Sequence, residues 1–94
     1  MPFANLKNYQ EQLVFERIEA LAANYSSISV DQLEDIACIA LNTLRPRYVR
    51  RLADLHRFMT DDQRRTYDVE AGTAALAAFE YVLFERGSIE SEDP

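Results

Sequence analysis

The stretch SVDQLEDIACIALNTLRP, residues 29–46, decides the fold. Ser29 followed by Gln32 has the form of a capping box, in which each side chain satisfies a free backbone N–H at a helix start. Asp31 with Glu34 offers an equally valid frame two residues later. The interior from Ile36 to Leu41 is apolar without interruption. A helix apolar on every side must be surrounded by protein. Cys38, in the middle of that run, reads as a small core residue. Asp35 and Asn42 are seven residues apart and so fall within about 20° of each other on one stripe. Pro46 stops the helix, because the residue before a proline leaves the α region.

The segment before it repeats the helical pattern. Between about Leu6 and Tyr25, the residues Val14, Ile18, Leu21 and Tyr25 recur at helical spacing, with Leu13 and Ala22 beside them. Glu11, Glu16, Arg17 and Glu19 suit the solvated side. After Pro46, which is well placed to open a helix at its first turn, Val49, Leu52, Leu55 or His56, and Phe58 or Met59 outline a third apolar face. Thr60 with Gln63 is a second capping box, and the helix it begins can run to Arg86 before Gly87 ends it. Gly72 could divide this helix. From Ala71 to Phe84 it is again apolar nearly all round, with small side chains that allow close approach of a neighbour.

These segments fit within a chain of 94 residues, which is 48% apolar and 28% charged. That length holds one core, and the composition is too apolar for a disordered chain. No apolar run approaches a spanning helix, and the N-terminus lacks the basic-then-apolar build of a signal peptide. Two glycines and three prolines leave few turns for a β-sandwich. One cysteine excludes an internal disulfide and a multi-thiolate zinc site, and a free thiol suits the cytoplasm. The fold class is all-α: a compact bundle of about four helices over residues 1–87, with 88–94 as an acidic disordered tail. Two helices buried on all sides are too many for a bundle this small, so a face of each must find a partner outside the monomer. A symmetric homodimer is the economical arrangement.

Charge is distributed unevenly. The net charge is −6, yet five arginines (Arg45, Arg47, Arg50, Arg51 and Arg57) fall within thirteen residues that hold one acid, Asp54. With Pro46 opening a helix, these cations crowd a helix N-terminus, where the backbone dipole disfavours them. An anion seated there would use free N–H groups and guanidinium forks together. Arg47 and Arg51 would share a helical face, with Arg50 their neighbour and Tyr48 offering a ring or a hydroxyl. The alternative is that the arginines pair with acids on the same surface. Catalytic patterns are lacking: no Ser-His-Asp or Cys-His pair, no glycine-rich phosphate loop and a single histidine, His56, which reads as a packed or half-exposed residue rather than a ligand. No enzyme activity, cofactor or metal is expected.

Three stretches carry a family resemblance: Asn8-Tyr9-x-Glu11-x-Leu13-Val14-x-Glu16-x-Ile18, then Asp35 to Asn42, then Pro46-Arg47-Tyr48-Val49. Over residues 8 to about 50 they resemble the late competence development protein ComFB family. The resemblance implies a small all-helical homodimer without enzymatic activity. Several members are regarded as receptors for cyclic dinucleotide second messengers, chiefly cyclic di-GMP, acting on competence, motility, type IV pili or biofilm formation in bacteria. Some members hold zinc through a cysteine cluster before the second helix. Here that segment is Tyr25-Ser26-Ser27-Ile28-Ser29, so zinc is not carried over. Arg45 stands where the family usually has proline.

Both lines of reasoning select the same ligand-binding residues. Arginine forks onto phosphate or onto the O6/N7 edge of guanine, and tyrosine stacks on the base. Arg47 and Tyr48 lead, followed by Arg45, Arg50 and Arg51. Asp35 and Asn42 are divided between ligand contact and a folding role. The expected partners are cyclic di-GMP or a related cyclic dinucleotide, a second copy of the chain and a downstream protein, with no membrane and no direct nucleic acid. The competing reading is a nucleotide-independent dimeric protein-interaction module. A helix-turn-helix DNA binder is opposed by the acidic balance.

Overall fold

The computed structural model describes residues 3–51, 53, 55, 57 and 59–86. Three α-helices make up most of it: α1 (Tyr9–Ala22), α2 (Val30–Asn42) and α3 (Asp61–Glu80). Their starts are local events. Both capping boxes form, Ser29 with Gln32 and Thr60 with Gln63, each side chain bonding the other residue's backbone N–H. Two acids, Asp61 and Asp62, occupy the first turn of α3, where the dipole favours them. After Glu80 the chain continues as a π-helical turn, Tyr81–Arg86.

The core lies where α3 crosses α1 and α2. Ala71, Ala75 and Ala78 form a buried stripe on α3 that admits Val14 and Ile18 of α1 and Ile36 and Ala40 of α2 at close range, with Phe79 and Val82 closing the far end. Small residues on one helix and branched ones on its neighbours let the layers interdigitate.

Several expectations need correction. The first helix begins at Tyr9 and ends at Ala22, shorter at both ends than the apolar spacing suggested. Gly72 does not divide α3, and the Arg17 guanidinium of α1 lies 3.4 Å from where a Cβ would stand there. The runs apolar in sequence are not buried all round: on α2, Ile36 and Ala40 are buried, Ala37 and Ile39 are half-buried, and Cys38 is exposed rather than a core residue. On α3 and its continuation, Leu76, Tyr81 and Phe84 are exposed.

The largest correction is at Pro46. No helix opens there; Tyr48–Val49 form a short strand, β2, antiparallel to β1 (Lys7–Asn8), with Lys7 opposite Val49 and Asn8 opposite Tyr48. Helical backbone returns only at Ala53, Leu55 and Arg57, where Leu55 is buried and its N–H donates to the Arg51 carbonyl at 3.4 Å. The proline's preference for a first helical turn lost to tertiary pairing of an aromatic and a β-branched residue that suit a strand. Arg47 and Arg51 therefore do not share a helical face. His56, Asp54, Leu52, Phe58, Gly87 and the acidic tail at 88–94 lie outside the described residues.

Candidate functional site

Asn8 builds the site from the α1 side. Its side-chain Oδ1 accepts from the Gln10 N–H at 3.2 Å, capping the helix, and from the Arg47 N–H at 2.8 Å. The Tyr9 N–H donates to the Arg47 carbonyl at 2.7 Å. Both backbone groups of Arg47 are thus fixed to the start of α1, which leaves its side chain free to act. Asn8→Ala should remove the cap and the clip together and lower stability by about 1–2 kcal/mol, read from urea denaturation, whereas Asn8→Asp keeps both acceptors and should hold the wild-type value.

The Arg45–Arg47 segment forms one wall of a cleft of about 560 Å³, a size in the range of small-molecule sites. The opposite wall is the first half of α3, with Asp62, Gln63, Thr66, Tyr67 and Glu70, and Met59 also lines it. Tyr67 stands edge-on to Tyr9, ring centroids 5.9 Å apart at 84°. Burial raises the Tyr9 phenol above its ordinary pKa, with the positive charge of Arg64 opposing and Asp68 and Glu16 adding to the shift. A raised tyrosine pKa means stability is fully present at neutral pH and declines only as pH climbs past about 10.

Gln10 also lines the cleft, completely buried, and its amide Oε1 and Nε2 have no hydrogen-bond partner. Buried polar groups are nearly always paired, so this one stands out. A second departure concerns the arginines. Among the described residues the ion pairs are Arg17 with Asp68 at 3.2 Å and Arg65 with Asp62 at 3.5 Å. Arg45, Arg47, Arg50, Arg51 and Arg57 are exposed and none is paired with a described carboxylate. The surface-pairing explanation of the cluster therefore has no support in these residues.

The anticipated site residues separate into groups. Arg45 and Arg47 line the cleft. Arg50 lines a neighbouring depression with Phe3, Asn5 and Leu6. Tyr48 is 65% exposed on β2, and Arg51 is exposed beyond it. Neither is in the cleft lining, and neither are Asp35 and Asn42, both exposed on α2. Gln10, Tyr67 and Glu70 were not anticipated. A signal existed for Gln10: it stands four residues before Val14 and eight before Ile18, an amide on the core stripe of its helix.

A model of the late competence development protein ComFB family matches residues 7–85. The chain belongs to that family. The ComFB match extends well past residue 50, so it takes in both walls of the cleft, from Gln10 through Arg45 and Arg47 to Glu70. Membership points to a competence-related role. No curated protein and no solved structure matches the chain. Among the described residues no helix is long and apolar enough to cross a membrane, and no group of three or more His, Cys, Asp or Glu residues could hold a metal ion.

Proposed function

We propose that this ComFB protein is a non-enzymatic cytoplasmic receptor for a cyclic dinucleotide, cyclic di-GMP before cyclic di-AMP. It relays the signal to competence, motility, pilus or biofilm control through a downstream protein. The observation that carries the reading is the arginine cluster, unpaired among the described residues, two of whose members line a cleft together with the unpaired Gln10 amide. Exposed guanidiniums held by a clipped backbone are ready for phosphate oxygens, and forked, charge-assisted hydrogen bonds are the strong ones. Calorimetric titration with cyclic di-GMP, cyclic di-AMP and GTP tests it. Saturable binding of a cyclic dinucleotide is expected, and no binding of either at high micromolar ligand overturns the reading.

A second observation bears on the homodimer, which the receptor reading shares with a nucleotide-independent protein-interaction module. Phe15 and Val30 are exposed beside half-buried Leu33 and Ala37, making a shallow apolar groove between α1 and α2. We assign this face to a second copy of the chain, consistent with the apolar circumference of α2. Sedimentation equilibrium at micromolar concentration should return twice the 10.8 kDa chain mass. A monomer there removes both the homodimer and any site shared across it.

A further inference from the structure

The unpaired Gln10 amide constrains what the cleft can take. An amide presents N–H donors on Nε2 and an acceptor, Oε1, side by side. Phosphate alone would satisfy the donor and leave the acceptor unmet; a cation would do the reverse. A ligand edge that carries a donor next to an acceptor satisfies both; adenine offers N6–H beside N7, and guanine offers an N2–H beside N3, whereas the guanine O6/N7 edge holds acceptors alone. The two walls divide the ligand further. Arg45 and Arg47 lie on one side and the carboxylates of Asp62 and Glu70 on the other. A phosphate is drawn to the arginines and repelled by the carboxylates, so the base must occupy the α3 side. Asp62 already faces Arg65, whereas Glu70 has no ion-pair partner among the described residues. A carboxylate accepts two hydrogens, which guanine supplies from N1 and N2 on one edge. Adenine has an acceptor at N1 and no amino group at C2.

We propose that Gln10 and Glu70 form the base-reading end of the cleft: Glu70 selects guanine over adenine through N1–H and N2–H, Gln10 holds the donor–acceptor edge of the base that remains, and the Tyr67 ring is the stacking surface. The Gln10 amide is buried, so a side chain lining the cleft must shift for the base edge to meet it, and Met59, unbranched and half-buried, is suited to do so. This deepens the receptor reading and rests on it for the class of ligand.

The test titrates wild type, Gln10→Met and Glu70→Gln with cyclic di-GMP, cyclic di-AMP and GTP, with thermal melts of each unliganded protein. Gln10→Met preserves shape and removes both hydrogen-bonding atoms. It should weaken the guanine ligands by about tenfold or more while melting at or above wild type, since an unpaired buried amide is lost. Glu70→Gln should narrow the gap between cyclic di-GMP and cyclic di-AMP. Wild-type affinity retained by Gln10→Met, or an equal loss for both cyclic dinucleotides in Glu70→Gln, overturns base reading here and leaves the receptor reading standing. Gln10→Met that melts several degrees lower shows the amide to be a folding contact and also overturns the inference. Binding of GTP but of neither cyclic dinucleotide, lost in Gln10→Met, keeps the guanine pocket and removes the receptor reading. No binding of any of the three overturns both.

Discussion

Arg47→Ala should lower the affinity for cyclic di-GMP by about ten- to a hundredfold and leave the melting temperature where it is. The first half follows from the size of a charge-assisted hydrogen bond, roughly 1.5–3 kcal/mol when its partner is lost. The second half follows from how Arg47 is held. Its N–H is bonded to Asn8 and its carbonyl to the Tyr9 N–H, and both contacts are backbone on the Arg47 side. Truncating the side chain leaves the clip between β1 and β2 in place. The guanidinium is exposed and makes no ion pair with a described carboxylate, so no folded-state contact is removed with it. Calorimetry and a thermal melt on the same variant separate two roles. A structural arginine would show a lower melt with binding intact; a ligand arginine shows the opposite pair of results.

The fold was legible wherever it is local. Ser29 with Gln32 and Thr60 with Gln63 announce two helix starts within four residues each, and both form. Val14 and Ile18, and Ile36 and Ala40, lie at helical spacing and are buried. The β1–β2 pairing is of another kind. It joins residues some forty positions apart, and neither two-residue strand has a pattern long enough to read. Its decisive contact is the Asn8 side chain reaching Arg47, which no window on the sequence contains. For the same reason the arginines could be singled out but not their setting. Arg45 and Arg47 are conspicuous by charge, whereas the cleft takes Gln10 from α1 and Tyr67 and Glu70 from α3. Each of these is unremarkable alone. Only Gln10 broke a local rule, as a polar residue on an apolar stripe, and it proved to be the buried side chain without a partner. Departures from local consistency tend to mark sites rather than errors of folding.

Phe79→Ala should be the most damaging single change in the described core. The ring is 2% exposed, sits at the end of the α3 alanine stripe and approaches the Tyr25 ring with centroids 5.4 Å apart. The buried cluster it belongs to includes Ala75 and Ala78, which have no length with which to fill the space, and Ile36 and Val82, which are β-branched and stiff. Cavity collapse is therefore restricted, and the cost should reach about 3–5 kcal/mol. A domain of this size holds on the order of 5–15 kcal/mol in all. Each lost kcal/mol lowers the melting temperature by roughly 4–8 °C at this chain length, so the transition should fall by more than about 12 °C. Leu76→Ala is the control, on the same helix with a side chain 46% exposed. Within a single chain it should cost well under half as much, because much of that surface is never withdrawn from water. Urea denaturation of both variants at two protein concentrations decides more than the size of the core. A Leu76→Ala loss as large as that of Phe79→Ala, and dependent on concentration, would show that a second chain covers this part of α3. A small, concentration-independent loss would place this part of α3 outside any contact between chains.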